Sequence, residues 1–560
     1  MSETPRRRTG GQILIDQLKI HGVDLAFGVP GESYLAALDA LYDARNSIRF
    51  ITCRQEGGAC VMAEAYGKMT GRPGICFVTR GPGATNASIG LHTAFQDSSP
   101  MILLIGQVAR DQTEREAFQE IDFRRMFGPV TKWTAEIEDA RRIPELVSQA
   151  FHRATSGRPG PVALALPEDM LTDVVETADA GPYKKIEAHP GPADMAKLRE
   201  LLAASKRPLM IVGGGGWSQQ ASADISAFAE ANNIPVSGSF RAQDIVDNLK
   251  PFYAGDVGIG INAKLAERVR NTDLLMVVGA RMGEMTTSGY TLLDIPVPKQ
   301  PMVHVYPGPD ELGRVYQPIL PINAGMGAFA AAARAMKPVD SSAWKSSTET
   351  AHADYLANTE PTRLPGEVQL GEIVGWLRKN VPADTIITNG AGNYTAWVHR
   401  YYPYRGFRTQ VAPTSGAMGY GVPAGVAAKA VYPNRTVISW NGDGCFMMNG
   451  QELATAVQHN LPVIFVVVNN GMYGTIRMHQ ERHYPDRVIG TDLVNPDFAA
   501  LARAYGALGE TVTRTVEFAP AFKRAMAAGK PSLIEIKIDP EALTPRQSLS
   551  QIRAAAREKA

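Results

Sequence analysis

Residues 442–474 read GDGCFMMNGQELATAVQHNLPVIFVVVNNGMYG, and the polarity pattern of this stretch decides the fold. It is entered from TVISW at 436–440, its middle carries a helical pattern at about 449–459, and PVIFVVV at 462–468 runs out into Asn469 and Asn470. Short unbroken apolar runs on either side of a helix are the mark of strands buried on both faces of a parallel sheet. In such a sheet neighbouring strands end side by side at the carboxyl edge, where ligands bind. Asp443 and Asn470, 470 − 443 = 27 positions apart, are therefore expected to point into one site. An Asp carboxylate, an Asn amide oxygen and the turn carbonyl of Met472 make a hard oxygen set that suits Mg²⁺, which completes its octahedron with phosphate oxygens and water. Gly442 and Gly444 would let main-chain N–H groups approach a diphosphate. A lone Asp-Gly turn is commonplace. The reading rests on turn, helix, strand and Asn pair in this order and spacing.

Outward from this stretch the same alternation continues in both directions. QILIDQLKIHG, DLAFGVPG, RFITC, GICFVT, MILLIG and PVALALP fill residues 10–170 with helix and strand in turn, and a second run starts at RPLMIVGGGG, residues 207–216. A Pro-, Gly- and Ala-rich stretch at 177–194 and a polar stretch at 339–367 read as linkers, and residues 541–560 read as a charged tail. The chain of 560 residues thus divides into an N-terminal domain at 1–180, a central domain at 190–340 and a C-terminal domain at 365–545, in keeping with about 100–200 residues per domain. Each is expected to be an α/β layer built on a parallel sheet. No fixed-period repeat is visible.

Composition narrows the partners. Hydrophobic residues make up 44% and charged residues 20%, a balance that can bury a large core, and 57 Lys and Arg against 56 Asp and Glu leave a net charge of +1. No overall field favours nucleic acid or an anionic membrane. The longest apolar runs are far shorter than the roughly 20 residues that span a bilayer. The basic N-terminus MSETPRRRTG is followed by a segment carrying Asp16 and Lys19, which reads as no secretory signal. Cys53, Cys60, Cys76 and Cys445 show no CxxC pairing, so reduced thiols in a cytoplasmic protein are expected.

Three further stretches carry candidate chemistry. In ITCRQEGGACVMAEAYGKMTGRPG at 51–74, Glu56 stands where a strand hands over to a helix, a place the helix dipole favours for any carboxylate. Gly57, Gly58 and Ala59 after it would let a ring or another chain come close. APTSGAMGYGVPAGVAAKA at 412–430 is a Gly-containing loop leading into an Ala-rich helix, in which Met418 alone would read as a gap-filler. GQVARDQTEREAFQEID at 106–122 contains AFQE, and TRGPGATNA at 79–87 contains a Gly-Pro-Gly turn.

Taken together, these motifs resemble the thiamine diphosphate enzymes of the acetohydroxyacid (acetolactate) synthase and pyruvate oxidase group, over nearly the whole chain and most strongly in the first and third domains. The resemblance implies a pyrimidine-binding N-terminal domain, a Rossmann-like central domain and a diphosphate-binding C-terminal domain in a homodimer or homotetramer. It implies thiamine diphosphate with Mg²⁺ held by Asp443, Asn470 and the Met472 carbonyl, and Gly392, Asn393, Tyr394, Gly442, Gly444 and Cys445 around the diphosphate. It makes Glu56 the partner of the aminopyrimidine ring nitrogen, promoting the imino tautomer. Such a group must keep or share a proton near neutrality, and burial raises a carboxyl pKa in that direction. GAMGYGVPA is similar to the family pattern GAMG(F/Y)G(L/V)PAA, which makes Met418 the wedge that bends the cofactor and the Gly416 carbonyl the acceptor for its amino group. The gain is proximity. Phe118 and Gln119 of AFQE match residues that reach the substrate side.

The implied activity is that of a carbon–carbon lyase or carboligase of acetolactate synthase type, acting on a 2-ketoacid or 2-hydroxyacyl substrate through an acyl-anion equivalent. A simple 2-ketoacid decarboxylase is the alternative, though members of that type carry an adjacent His pair in the first domain and no HH occurs here. A non-catalytic cofactor-binding subunit is a third reading, against which Glu56, Asp443 and Asn470 count. Two positions depart from the synthases. VVGARMGEMTTSG at 277–289 puts Met285 where they carry a carboxylate-binding Arg, and NNGMYGTIRMHQERH at 469–483 puts His479 where they carry Trp. A thioether cannot make the bidentate contact of a guanidinium. His479 and His483, four apart, would share a helix face and are expected near substrate. GGGG at 213–216 after a strand leaves structural FAD open, while GDVGIG at 255–260 replaces the Gly-Met-His-Gly of flavin-containing members.

Overall fold

The computed structural model describes residues 6–558. The start of the N-terminal segment read as lacking a secretory signal, residues 1–5, and the last two residues of the charged tail lie outside the described residues.

Among the described residues, three six-stranded parallel sheets carry the chain. The first runs Arg49–Thr52, Leu25–Gly28, Gly74–Val78, Met101–Gln107, Pro161–Pro167, Trp133–Glu136 across the sheet. The third runs Gln410–Val411, Ile386–Asn389, Val437–Gly442, Ile464–Asn469, Ser532–Lys537, Leu508–Val512. Counted along the chain, both have the strand order 2-1-3-4-6-5. The central sheet, Tyr253–Asp256, Val236–Gly238, Pro208–Val212, Leu274–Val278, Met302–Tyr306, Leu320–Asn323, has the order 3-2-1-4-5-6, that of a doubly wound nucleotide-binding fold. The apolar runs are strands for the expected reason: every residue of Met101–Gln107, Pro161–Pro167 and Val437–Gly442 is buried. All four cysteines are buried free thiols.

The chain forms two compact units. One holds the residues up to Ile186 with Val426–Val431 and Asn449–Leu461, and the other holds Glu187–Gly425, Tyr432–Met448 and the remainder from Pro462. Within the second unit, buried hydrogen bonds join the central segment to the C-terminal one. The Asp244 carboxylate accepts the Thr409 and Gln410 N–H groups at 2.9 and 3.1 Å, and Gln243 Nε2 donates to His399 O at 2.8 Å.

Two stretches read as irregular are helical. The polar stretch 339–367 contains the helix Lys345–Asn358, because Trp344, Thr348, Ala351 and Tyr355 fall on one face and are buried while the opposite face stays polar. The charged tail contains Leu549–Arg557, whose Leu549 and Ile552 cluster with Met478 and Leu543. Arg553 clamps the buried Glu481 at 2.6 and 2.8 Å, and with Arg477 it holds that carboxyl down at about 2. The tail is thereby fastened to the helix Gly474–His483 that carries both candidate histidines. Among the described residues no helix is long and apolar enough to cross a membrane.

Candidate active site

In the third sheet the connections leave in opposite directions from the first strand, Ile386–Asn389, and its neighbour Val437–Gly442. That reversal opens a crevice at the carboxyl ends of the two strands. The segments that follow them are Gly390–Tyr394 and Asp443–Cys445, so the candidate residues occupy the switch point. Gly442 pairs with Val468, placing Asn470 two residues past the end of the register beside Asp443.

Asp443 is buried at the start of the short helix Asp443–Phe446. Its Oδ1 accepts the Gly444 N–H at 2.8 Å, and its Oδ2 accepts the Gly471 N–H at 2.9 Å and the Asn495 amide at 2.8 Å. None of these donors is charged. Burial pushes the carboxyl pKa up, opposed by these hydrogen bonds. A buried carboxylate held only by neutral donors lacks the countercharge that buried anions require, and a divalent cation would supply it. Asn470 Oδ1 accepts the Met472 N–H at 3.2 Å, so these two predicted ligands share one turn, and the Gly471 N–H between them ties that turn to Asp443. The residues present fit Mg²⁺. Asn495 also bridges to Asn469 Oδ1 at 2.9 Å. It lies in a loop without a motif, so the sequence reading missed it.

The neighbouring loops interlock. The Tyr394 hydroxyl donates to Cys445 Sγ at 3.0 Å and accepts the Gly390 N–H at 3.1 Å, while the Gly419 N–H donates to the same sulfur at 3.2 Å. Cys445 thus ties the GAMG loop and residue 394 to the GDG turn. Asn393 exchanges hydrogen bonds with Thr475 Oγ1, accepting at 3.1 Å and donating from its main chain at 2.9 Å. The glycines have a use the sequence did not disclose: a Cβ on Gly442 would strike the Tyr394 ring at 2.6 Å, and one on Gly444 the Tyr473 ring at 2.5 Å. Gly416 turns in the left-handed region at φ 68° with its Cα side open, and Met418 packs partly buried against the C-terminal core.

In the first unit Glu56 opens the helix Glu56–Thr70, and Gln55 caps it by accepting the Gly58 N–H. Asn86 Nδ2 donates to Glu56 Oε2 at 2.9 Å. Asn86 belongs to TRGPGATNA, where nothing in the local sequence marks it; its place on the helix Pro82–Asp97 brings it to the carboxylate. The AFQE loop closes on the Gly-Pro-Gly turn. A Cβ on Gly81 would meet Gln119 at 2.8 Å, Arg80 Nε donates to Phe118 O at 3.1 Å, and one on Gly83 would come within 3.4 Å of Glu56 Oε1. Phe118 is 74% exposed. Glu56, Asn86, the Gly-Pro-Gly turn, Phe118 and Gln119 therefore form one surface.

His479 and His483 do share a helix face, with rings 6.2 Å apart and nearly parallel. Burial first, then Arg482 and His483, hold His479 below the usual imidazole range. Met285 is half-buried in the loop after Leu274–Val278, and Arg477 is engaged by Glu481 at 3.2 Å and Asp492 at 3.3 Å. In the glycine run 213–216, Gly213 is buried, Gly214 is exposed and a Cβ on Gly216 would meet nothing within 4 Å. A Cβ on Gly213 would overlap Ser239 Oγ at 1.9 Å, one on Gly214 would overlap Gly279 O at 1.9 Å, and the buried Trp217 donates its indole N–H to Gly213 O at 2.8 Å.

Comparison with known proteins identifies the family. Residues 8–126 match the N-terminal TPP binding domain of thiamine pyrophosphate enzymes, residues 195–333 their central domain and residues 390–536 their C-terminal TPP binding domain. The chain is 30% identical over 538 residues to the acetolactate synthase isozyme 2 large subunit of Escherichia coli (strain K12), covering 95% of each chain. It is 31% identical to the acetolactate synthase large subunit of Corynebacterium glutamicum, covering 94% of this chain and 86% of the relative. It is 32% identical to that of Parasynechococcus marenigrum, covering 96% and 88%. Nothing in the fold or in the site stands against these matches, and the chain belongs to the thiamine pyrophosphate enzyme family, among the relatives of the acetolactate synthase large subunits.

Proposed function

We propose that this thiamine diphosphate-dependent enzyme is a Mg²⁺-requiring carboligase of acetolactate synthase type, acting on a small 2-ketoacid or 2-hydroxyacyl donor. The observation that carries the reading is the buried Asp443 carboxylate, held by neutral donors beside Asn470 at the switch point. When bound, thiamine diphosphate supplies a nucleophilic carbon and an electron sink for breaking and making bonds next to a carbonyl. Asp443, Asn470 and the Met472 carbonyl would hold the metal. Gly392, Asn393, Tyr394, Gly442, Gly444 and Cys445 would line the diphosphate. Met418 would support the bent cofactor, and the Gly416 carbonyl would accept its amino group. Glu56, oriented by Asn86, would hold the proton shared with the aminopyrimidine ring, while Phe118 and Gln119 would face substrate.

The acceptor follows from Met285 and His479. A guanidinium contact to a buried carboxylate contributes about 1.5–3 kcal/mol, so a pocket lacking it should disfavour a second ketoacid by roughly 10- to 150-fold. Arg477 is already engaged by Glu481 and Asp492. An aldehyde or other neutral acceptor is expected to react faster than pyruvate, and Met285→Arg should shift product toward acetolactate. The decisive assay supplies pyruvate alone and quantifies acetolactate; rapid formation by the unaltered protein overturns this assignment.

The minimum catalytic unit is proposed to be a homodimer, paired into a tetramer, in the cytoplasm; the four free thiols support that compartment. Glu56 and Asp443 belong to different compact units, and a cofactor shared between subunits would take one from each. Mixing Glu56→Gln with Asp443→Ala subunits should then restore part of the activity in hybrids. Verified hybrids without any recovery would exclude a shared site.

A further inference from the structure

We propose that Glu452 is a positioning residue for Glu56, its buried carboxylate anchoring and neutralising the amino end of the helix Glu56–Thr70 so that the Glu56 proton is retained. This rests on the reading of Glu56 given above. Although Glu452 lies between the GDG and NN motifs in sequence, it belongs to the compact unit that holds the N-terminal sheet. Its side chain is 0% exposed. Oε1 accepts the Arg54 and Gln55 N–H groups, each at 3.0 Å, and Oε2 accepts the Thr455 hydroxyl at 2.6 Å and the Arg54 N–H at 3.3 Å. A Cβ on Gly58 would lie 2.8 Å from Oε1, so the first turn of the helix sits directly on the carboxylate. Every one of these contacts comes from a donor, which is what an ionised carboxylate requires.

The charge, beyond the hydrogen bonds, has a consequence for Glu56. A helix amino end carries about half a positive charge, which favours loss of the proton from a carboxyl in its first turn. Glu56 is the first residue of this helix. A buried anion beneath the same turn offsets that field and favours the protonated form. The other groups facing this pair do not supply such a charge. Tyr34 and Cys76, which interact electrostatically with Glu56, and Cys53, which interacts with Glu452, are all held neutral by burial. Asn86 is uncharged and Arg80 on the adjacent turn is paired with Glu168 at 2.7 Å; burial raises the Glu452 pKa, opposed by its hydrogen bonds from Thr455, Arg54 and Gln55 and by the exposed Arg54 guanidinium.

The test uses full-length protein loaded with thiamine diphosphate and Mg²⁺. Near-ultraviolet circular dichroism of the bound aminopyrimidine is followed from pH 5.5 to 9, alongside cofactor affinity and hydrogen–deuterium exchange at the thiazolium carbon. Glu452→Gln keeps the acceptor but removes the charge, and is expected to move the pH midpoint down by about one unit and slow exchange about tenfold above it. Cofactor affinity should change little. Thr455→Val, which removes one hydrogen bond and keeps the charge, should leave the midpoint near that of the unaltered protein. An unmoved midpoint in Glu452→Gln, with exchange lost in Glu56→Gln, overturns the role of Glu452 and leaves the Glu56 assignment standing. Normal exchange in Glu56→Gln would instead remove the assignment on which this inference rests. If Glu452→Gln does not accumulate as folded protein, Gly58→Ala, whose Cβ displaces the carboxylate from the helix side, decides: a downward shift supports the proposal and none overturns it.

Discussion

Glu56→Gln is expected to bind thiamine diphosphate and Mg²⁺ nearly as well as the unaltered protein while exchanging the thiazolium proton about 10²- to 10⁴-fold more slowly, the usual range for loss of a positioned acid or base. The geometry explains why the two effects separate. Glu56 lies in the first unit and Asp443 in the second, and the predicted metal ligands and diphosphate neighbours all belong to the second. The amide retains an oxygen to accept the Asn86 N–H that now reaches Glu56 Oε2 at 2.9 Å, so the local fold should persist. What it cannot do is hold a labile proton on an oxygen and deliver it to the ring. The measurement is deuterium exchange with acid quench and proton NMR of the released cofactor. Exchange at the unaltered rate would show that another group moves the proton.

Asp443→Ala is expected to abolish Mg²⁺-dependent cofactor retention, a loss larger than the 10- to 100-fold typical of residues that only support a metal ligand. In the cofactor-free protein the same substitution removes a buried carboxylate whose donors are all neutral but also takes the acceptor from the Gly444, Gly471 and Asn495 N–H groups, so the two effects on stability oppose each other. The pH dependence has a definite sign. Burial raises the folded-state pKa of Asp443 above its unfolded value, so the folded, metal-free protein binds that proton more tightly. Its penalty is fully present above the folded pKa and is relieved as pH falls through that value toward the unfolded one. Thermal unfolding of both proteins, with and without Mg²⁺ and thiamine diphosphate, should show ligand-induced stabilisation only in the unaltered chain. Equal stabilisation of Asp443→Ala would mean that Asp443 is not a ligand.

The strands, the α/β class and the convergence of Asp443 with Asn470 were determined by sequence alone, because they depend on local periodicity: an apolar run too short for a helix, bounded by turn residues, has few places to go other than a buried parallel sheet. The junction at Glu56 was legible for the same reason, since a β-branched and aromatic run ends at Thr52 and a Gly- and Ala-rich helix begins four residues later. Only the tertiary structure decided the rest. The first and third sheets share the order 2-1-3-4-6-5 without a readable repeat, because strand order depends on where crossovers return and leaves no period in the residues. The helix Lys345–Asn358 hid in a polar stretch since four buried positions suffice to dock it. Asn86 meets Glu56 across 30 residues, Asn495 meets Asp443 across 52, and Glu452 meets Arg54 across 398. Each contact joins side chains and turns whose own sequence contexts are ordinary; it exists because crossover connections bring distant loops to one edge, and a buried carboxylate must find its donors wherever the fold supplies them.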